Sequence, residues 1–184
     1  MGTDVEFPYL CSDRNRGCQK GSFRKLVTRS LVKGMEAKFF DDWKVGETLE
    51  TMGRTVGEAE IAQFVGLGGF FEELFIDREY MAKSGPYPAR IAPGAMTFAL
   101  SEGLIILTGC IHRVGLALLA VEKMSFTRPL MAGDTIHVRV TVVETAQTSK
   151  PDRGIVTFAH SVINQRGEEI MECTVKRMLR RRSA

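Results

Sequence analysis

Phe126-Thr127-Arg128-Pro129-Leu130-Met131-Ala132-Gly133-Asp134-Thr135-Ile136 leads into a stretch of strict alternation. Ile136, Val138, Val140 and Val142 fall on every second position, with His137, Arg139 and Thr141 between them. A period of two with one apolar face predicts a half-buried β-strand. Pro129 has no N–H to give to a ladder, so it belongs at a strand end or bulge. Gly133-Asp134 supplies the turn chemistry that separates one strand from the next.

Outward from this point the chain has one strand, then helices, then a run of strands. The domain proper is expected to begin near Phe39, with a turn at Asp41-Asp42-Trp43-Lys44-Val45-Gly46-Glu47 and a first strand over 50–54. Thr55-Val56-Gly57-Glu58 has capping-box spacing, predicting a short helix through Phe64 that Gly66, Gly68 and Gly69 stop. Asp77 is a good N-cap for a second short helix over 78–83, broken by Ser84-Gly85-Pro86-Tyr87-Pro88. Residues 94–107 are apolar on nearly every side, which predicts a helix surrounded by protein. Four strands follow over about 117–128, 135–146, 155–164 and 168–179. Asn164-Gln165-Arg166-Gly167 forms the last hairpin turn, with Gly where a positive φ is needed. This order is that of an α+β domain.

A strand that ends in Phe-x-x-Pro-Leu, followed by one that opens on Gly-Asp, resembles the signature of MaoC-like dehydratases. The resemblance covers about residues 39–179. It implies a hotdog fold, an antiparallel sheet wrapped around a long apolar central helix. It also implies an enzyme that adds or removes water across the double bond of an acyl thioester. Such domains pair through their sheets, so a homodimer or larger even assembly is expected.

The resemblance points to two site segments. The family carries Gly-Asp-x-Asn-Pro-x-His-x-Asp after the short helix, where this chain has Gly69-Phe70-Phe71-Glu72-Glu73-Leu74-Phe75-Ile76-Asp77. Gly69 and Asp77 match. Phe70 stands at the catalytic Asp position and Phe75 at the catalytic His position, and neither transfers a proton. The second segment, at the start of the central helix, is Pro93-Gly94-Ala95-Met96. Gly94 matches the family glycine whose N–H binds the thioester carbonyl, a role that suits a helix N-terminus. Pro93 is compatible with it, and Pro93 and Ala95 on either side are candidate substrate-binding residues.

Glu72 is the candidate replacement acid or base. Flanked by phenylalanines, its carboxyl is either partly desolvated, which raises its pKa towards neutrality, or a solvent-facing charge. Glu73 reads as solvent-facing. Phe70 and Phe75 are candidate walls for an apolar acyl chain, and Arg90 is a candidate thioester-side contact just before the helix. Glu102, a carboxylate inside the apolar helix, needs a cationic partner such as Arg90 or Arg128. His112 follows the helix as a candidate C-cap, and His137 and His160 read as structural strand residues.

Composition excludes several other classes. With 44% hydrophobic and 26% charged residues in 184, the chain is an ordinary globular one, with no apolar run long enough to span a membrane. The net charge of +3 is uneven. Residues 1–34 carry seven Lys/Arg and three Asp/Glu, Lys176 to Arg182 adds five basic residues, and the body between them has 13 Lys/Arg against 19 Asp/Glu. An acidic body is not a nucleic-acid surface. The basic tail is either an attractor for CoA phosphates or an acidic carrier protein, or a frayed terminus. Cys11, Cys18, Cys110 and Cys173 are scattered and read as free thiols, so no metal is expected and a reducing cytoplasm is.

Residues 1–34 are expected to form a largely irregular basic extension to a domain over 35–184, with at most a short helix over 23–32. A secretory signal is excluded by the lack of an apolar core. A transit peptide, which Asp4, Glu6 and Asp13 oppose, and a true start at Met35 stay open.

The function expected is an acyl-CoA or acyl-carrier-protein hydratase or dehydratase with a divergent site, whose thioester is substrate and which needs no further cofactor. A hotdog thioesterase and a catalytically silent thioester-binding or partner protein are the alternatives.

Overall fold

The computed structural model describes residues 36–182. The basic extension, the helix expected over 23–32, Cys11 and Cys18 lie outside the described residues. Two short strands, β1 (Thr48–Glu50) and β2 (Arg54–Thr55), precede helix α1 (Glu58–Gly68). Two short helices follow, α2 (Glu73–Ile76) and α3 (Arg78–Lys83), then the long helix α4 (Gly94–Leu107). Strands β3 (Gly115–Phe126), β4 (Thr135–Gln147), β5 (Arg153–Asn164) and β6 (Glu169–Arg180) complete the chain. All pairings are antiparallel in the order β1-β4-β5-β6-β3, with β2 also on β4. This is the expected α+β arrangement of a sheet laid against one long helix.

The alternation in β4 does what its pattern requires. Ile136, Val138, Val140 and Val142 are buried, and Arg139 is exposed on the other face. The inner face continues through Val156, Phe158 and Val162 of β5 and Val175 and Leu179 of β6. Met96, Leu104 and Ile105 of α4 join the same core. Each such side chain taken out of water contributes about 1.5–3 kcal/mol.

Gly133 and Asp134 are the knot of this architecture. Gly133 has φ 91° and donates its N–H to the Val56 carbonyl at 2.8 Å. Asp134, nearly fully buried, accepts from the Met131 N–H at 3.0 Å, Gln165 Nε2 at 2.8 Å and Arg166 Nη1 at 3.4 Å. One buried carboxylate thus ties the β3–β4 turn to the β5–β6 hairpin. The neighbouring Leu130 carbonyl accepts from the Ala92 N–H at 2.7 Å, fixing the approach to α4.

Several expectations are corrected. The helix box lies two residues later than its spacing suggested: Gly57 is the N-cap, and its N–H donates to Glu60 Oε2 at 2.8 Å. Thr55 is instead claimed by β2, its hydroxyl 2.7 Å from that of Thr135. Helix α1 runs past Phe64 and Gly66 to Gly68, ending where Gly69 takes φ 70°. Asp77 caps α3 as expected, accepting from the Glu79 and Tyr80 N–H groups at 2.8 and 2.9 Å.

Helix α4 is not enclosed on every side by its own chain. Ala95, Ala99, Ile106 and Leu107 are exposed, because the single sheet covers one face of the helix. Glu102 pairs with Arg177 of β6 rather than with Arg90, which pairs with Glu58, or Arg128, which stands 3.4 Å from Glu168. The basic tail is neither frayed nor free. Arg181 Nη2 lies 2.7 Å from Asp41 and Arg182 Nη2 2.9 Å from Asp42, with both guanidinium groups over the Phe40 and Phe39 rings.

Candidate active site

Helix α4 begins at Pro93, whose ring presets φ at −55° and whose side chain caps nothing. The Met96 N–H donates to the Pro93 carbonyl at 2.9 Å, and the Gly94 and Ala95 amides precede any intrahelical acceptor. Gly94 lines a cleft of about 350 Å³ together with Tyr87, Ile91, Thr97, Phe126, Arg128 and Leu130. The Phe126 ring lies directly over Gly94, and a Cβ at that position would stand 3.0 Å from the ring. Glycine gives the ring its close approach here, and the result is a polar helix end opening into a largely apolar slot.

The second segment is organised by its aromatics. Phe70 stacks on Phe64 at 5.8 Å and meets Phe75 edge-on at 6.3 Å, and both rings pack against the core. Because the rings turn towards one another, they do not surround Glu72. Glu72 is exposed and makes no side-chain cap, although its carbonyl accepts from the Phe75 and Ile76 N–H groups at 2.9 and 3.2 Å to start α2. The desolvated carboxyl is therefore not found among the described residues. Phe71 points outward, 68% exposed.

Arg90 Nη1 donates to the Phe75 carbonyl at 3.3 Å, and its other nitrogen pairs with Glu58. It lines a separate cleft with Glu58 and Arg78 and pins α2 to the chain entering α4. Of the residues singled out in the sequence, Gly94 borders the apolar cleft, Pro93 is buried behind it and Ala95 is exposed on the next residue. Phe70, Phe75, Glu72 and Arg90 form a neighbouring layer, bridged to it where the Ile91 N–H meets the Leu74 carbonyl at 3.4 Å.

Sequence reasoning missed Tyr87, Thr97, Phe126 and Arg128 as cleft residues. Phe126 and Arg128 stand in the very stretch that decides the fold. The available signal was Pro129, three residues past the end of β3, where the chain leaves the ladder beside the start of α4.

A second polar group lies beneath the middle of α4. Glu102 is 15% exposed in its side chain, Arg177 9% and His160 0%, with His160 Nδ1 3.6 Å from Glu102. Burial, then the Arg177 charge, pushes the His160 pKa down to about 3, so the imidazole is neutral. Burial and the Glu102 charge push the Cys173 thiol up to about 11, and burial raises Cys110 as well. Neither thiol is a ready nucleophile.

Comparisons with known proteins follow the same outline. The family described as MaoC like domain matches residues 41–164, and the chain belongs to that family. It is 32% identical over 104 residues to Protein MaoC of Klebsiella aerogenes, covering 56% of this chain and 30% of that protein. It is 27% identical over 152 residues to mesaconyl-CoA hydratase of Cereibacter sphaeroides, covering 82% and 43%. The chain thus spans less than half the length of either relative. A MaoC-like dehydratase structure from Rhodospirillum rubrum aligns with TM-score 0.72 and 29% identity, over 80% of this chain and all of the other. A Mycobacterium tuberculosis double-hotdog protein aligns with TM-score 0.71 and 21% identity over 79% and 45%, which supports the hotdog fold alone. No described helix is long and apolar enough to cross a membrane.

Proposed function

We propose that this MaoC-like domain binds an acyl thioester, carried on CoA or an acyl carrier protein, in the cleft at the start of α4, and hydrates or dehydrates its acyl chain. The observation that carries this reading is the uncapped first turn of α4 opening onto an apolar slot. The thioester oxygen accepts hydrogen bonds from the Gly94 and Ala95 amides, which stabilise the enolate that forms when hydroxide adds at C3. Glu72 takes the proton from the attacking water, and that proton returns at C2. The thioester itself is the electron sink, so no further cofactor enters the scheme.

Glu72 is exposed in one chain, and so are Ala95, Ala99, Ile106 and Leu107 of α4 and Leu118 and Leu119 of the edge strand β3. A homodimer or larger even assembly that covers these surfaces fits the proposal, because it would exclude water from the carboxyl. A cytoplasmic setting, where CoA thioesters and free thiols coexist, belongs to the same reading.

A second reading is favoured by the cleft lining, which holds neither a carboxylate nor an imidazole among the described residues. Under it the domain binds a thioester without turning it over. The test is to mix the purified chain with a panel of 2-enoyl-CoA and 3-hydroxyacyl-CoA thioesters and follow enoyl absorbance and free thiol together. A reversible absorbance change without thiol, lost in Glu72→Gln with ligand binding kept, is the expected result. Thiol release would make the domain a thioesterase, and binding with neither signal would leave the silent reading standing.

A further inference from the structure

We propose that Arg128 is the anion-reading residue of the α4 cleft, selecting ligands that carry a negative group at the cleft mouth. The inference rests on the acyl-thioester reading above and adds what distinguishes one thioester from another.

Three observations carry it. First, Arg128 lines the same cleft as Gly94, and no acidic residue shares that lining. Second, its ion pair is weakly committed. Arg128 Nε stands 3.4 Å from Glu168 Oε1, but Oε2 of the same carboxylate already receives Asn164 Nδ2 at 2.8 Å and Arg166 Nε at 2.7 Å. Glu168 is thus held charged by Asn164 and Arg166, with Arg128 a minor contributor. Third, the backbone is fixed while the side chain stays accessible. The Thr127 N–H donates to the Ile170 carbonyl at 3.0 Å and Pro129 follows immediately, yet the Arg128 side chain is 51% exposed.

A guanidinium held at its base and free at its tip presents paired N–H donors that match a carboxylate or phosphate in a fork geometry. The anion has two sources in an acyl thioester. One is the phosphate of the CoA or carrier arm, and the other is a carboxylate on the acyl group itself.

The experiment measures binding by calorimetry to wild type, Arg128→Gln and Arg128→Lys, using saturated thioesters that do not react. The ligands are butyryl-CoA, butyryl-pantetheine, succinyl-CoA and succinyl-pantetheine, so that phosphate and carboxylate vary independently. Arg128→Gln should bind its anionic partner about ten- to hundred-fold more weakly, the usual scale for a hydrogen bond to a charged group. It should bind neutral butyryl-pantetheine as wild type does, and Arg128→Lys should recover part of the loss. Loss with both CoA ligands alone assigns the phosphate, and loss with both succinyl ligands alone assigns the carboxylate. Glu168→Gln, which frees Arg128 further, should not weaken either. Equal affinity of wild type and Arg128→Gln for all four ligands, with an unchanged thermal midpoint, overturns the inference while leaving the thioester reading intact. Failure of wild type to bind any of the four overturns both.

Discussion

The turn at Gly133-Asp134 and the segment Gly69–Asp77 both lie within the stretch that the family matches, residues 41–164, and they are built on opposite principles. Asp134 is buried, and three donors from two different turns converge on it. Glu72, in the other segment, is exposed, and its backbone bonds reach no farther than four residues along the chain. Replacing Asp134 removes the one carboxylate that the Met131, Gln165 and Arg166 donors share. In the second region, Phe70, Phe75 and Asp77 keep structural contacts, while the exposed Glu72 makes no side-chain cap and can change at little cost to folding.

The sharpest break falls on the framework side, beneath α4. Arg177→Met leaves Glu102 buried and unpaired, and equilibrium denaturation should register a loss of about 3–5 kcal/mol. Replacing Glu102 and Arg177 together with leucine and methionine should recover much of that, since the pair then leaves no orphan charge.

Asp134→Ala should come next, with about 2–3 kcal/mol lost as the Met131, Gln165 and Arg166 donors lose their acceptor. The contrasting Phe71→Ser and Glu72→Gln variants should stay within about 0.5 kcal/mol of wild type, as exposed positions do. A Glu72→Gln variant as destabilised as Asp134→Ala would erase the distinction between the two regions.

Per pH unit, the mildest of the destabilising effects is a pH slope. His160 is neutral in the fold down to about pH 3 but takes a proton near pH 6.5 when unfolded. Below pH 6.5 the unfolded chain therefore binds more protons than the native one, and stability falls as pH falls, by at most about 1.4 kcal/mol per unit. Above pH 6.5 this residue contributes no slope. His160→Phe should flatten the curve between pH 6 and 4, as read from urea midpoints.

Legibility in the sequence followed the same division. Helix α4 begins and ends where expected, because Pro93 and Gly94 mark its start and the apolar run its length. The four long strands lie within two residues of their expected bounds, since alternation is a local signal. The partner of Glu102 was not legible, because Arg177 lies 75 residues away and is brought close by sheet register. Nor was the direction of Phe70 and Phe75, which depends on Phe64 from the preceding helix. The capping box shifted because Thr55 had a competing partner across the sheet. Phe126 belongs to the Phe-x-x-Pro stretch and Arg128 is a candidate partner of Glu102 in the sequence, and their place beside Gly94 follows only once β3 and α4 are docked.

The central claim is that the first turn of α4 holds a thioester carbonyl. Isotope-edited infrared spectroscopy of butyryl-CoA labelled with ¹³C at the carbonyl reads that bond directly. Bound to the wild-type chain at saturation, the carbonyl band should move to lower frequency than in water, reporting polarisation by the Gly94 and Ala95 amides. A bound ligand whose carbonyl band stays at its solution frequency would contradict the account.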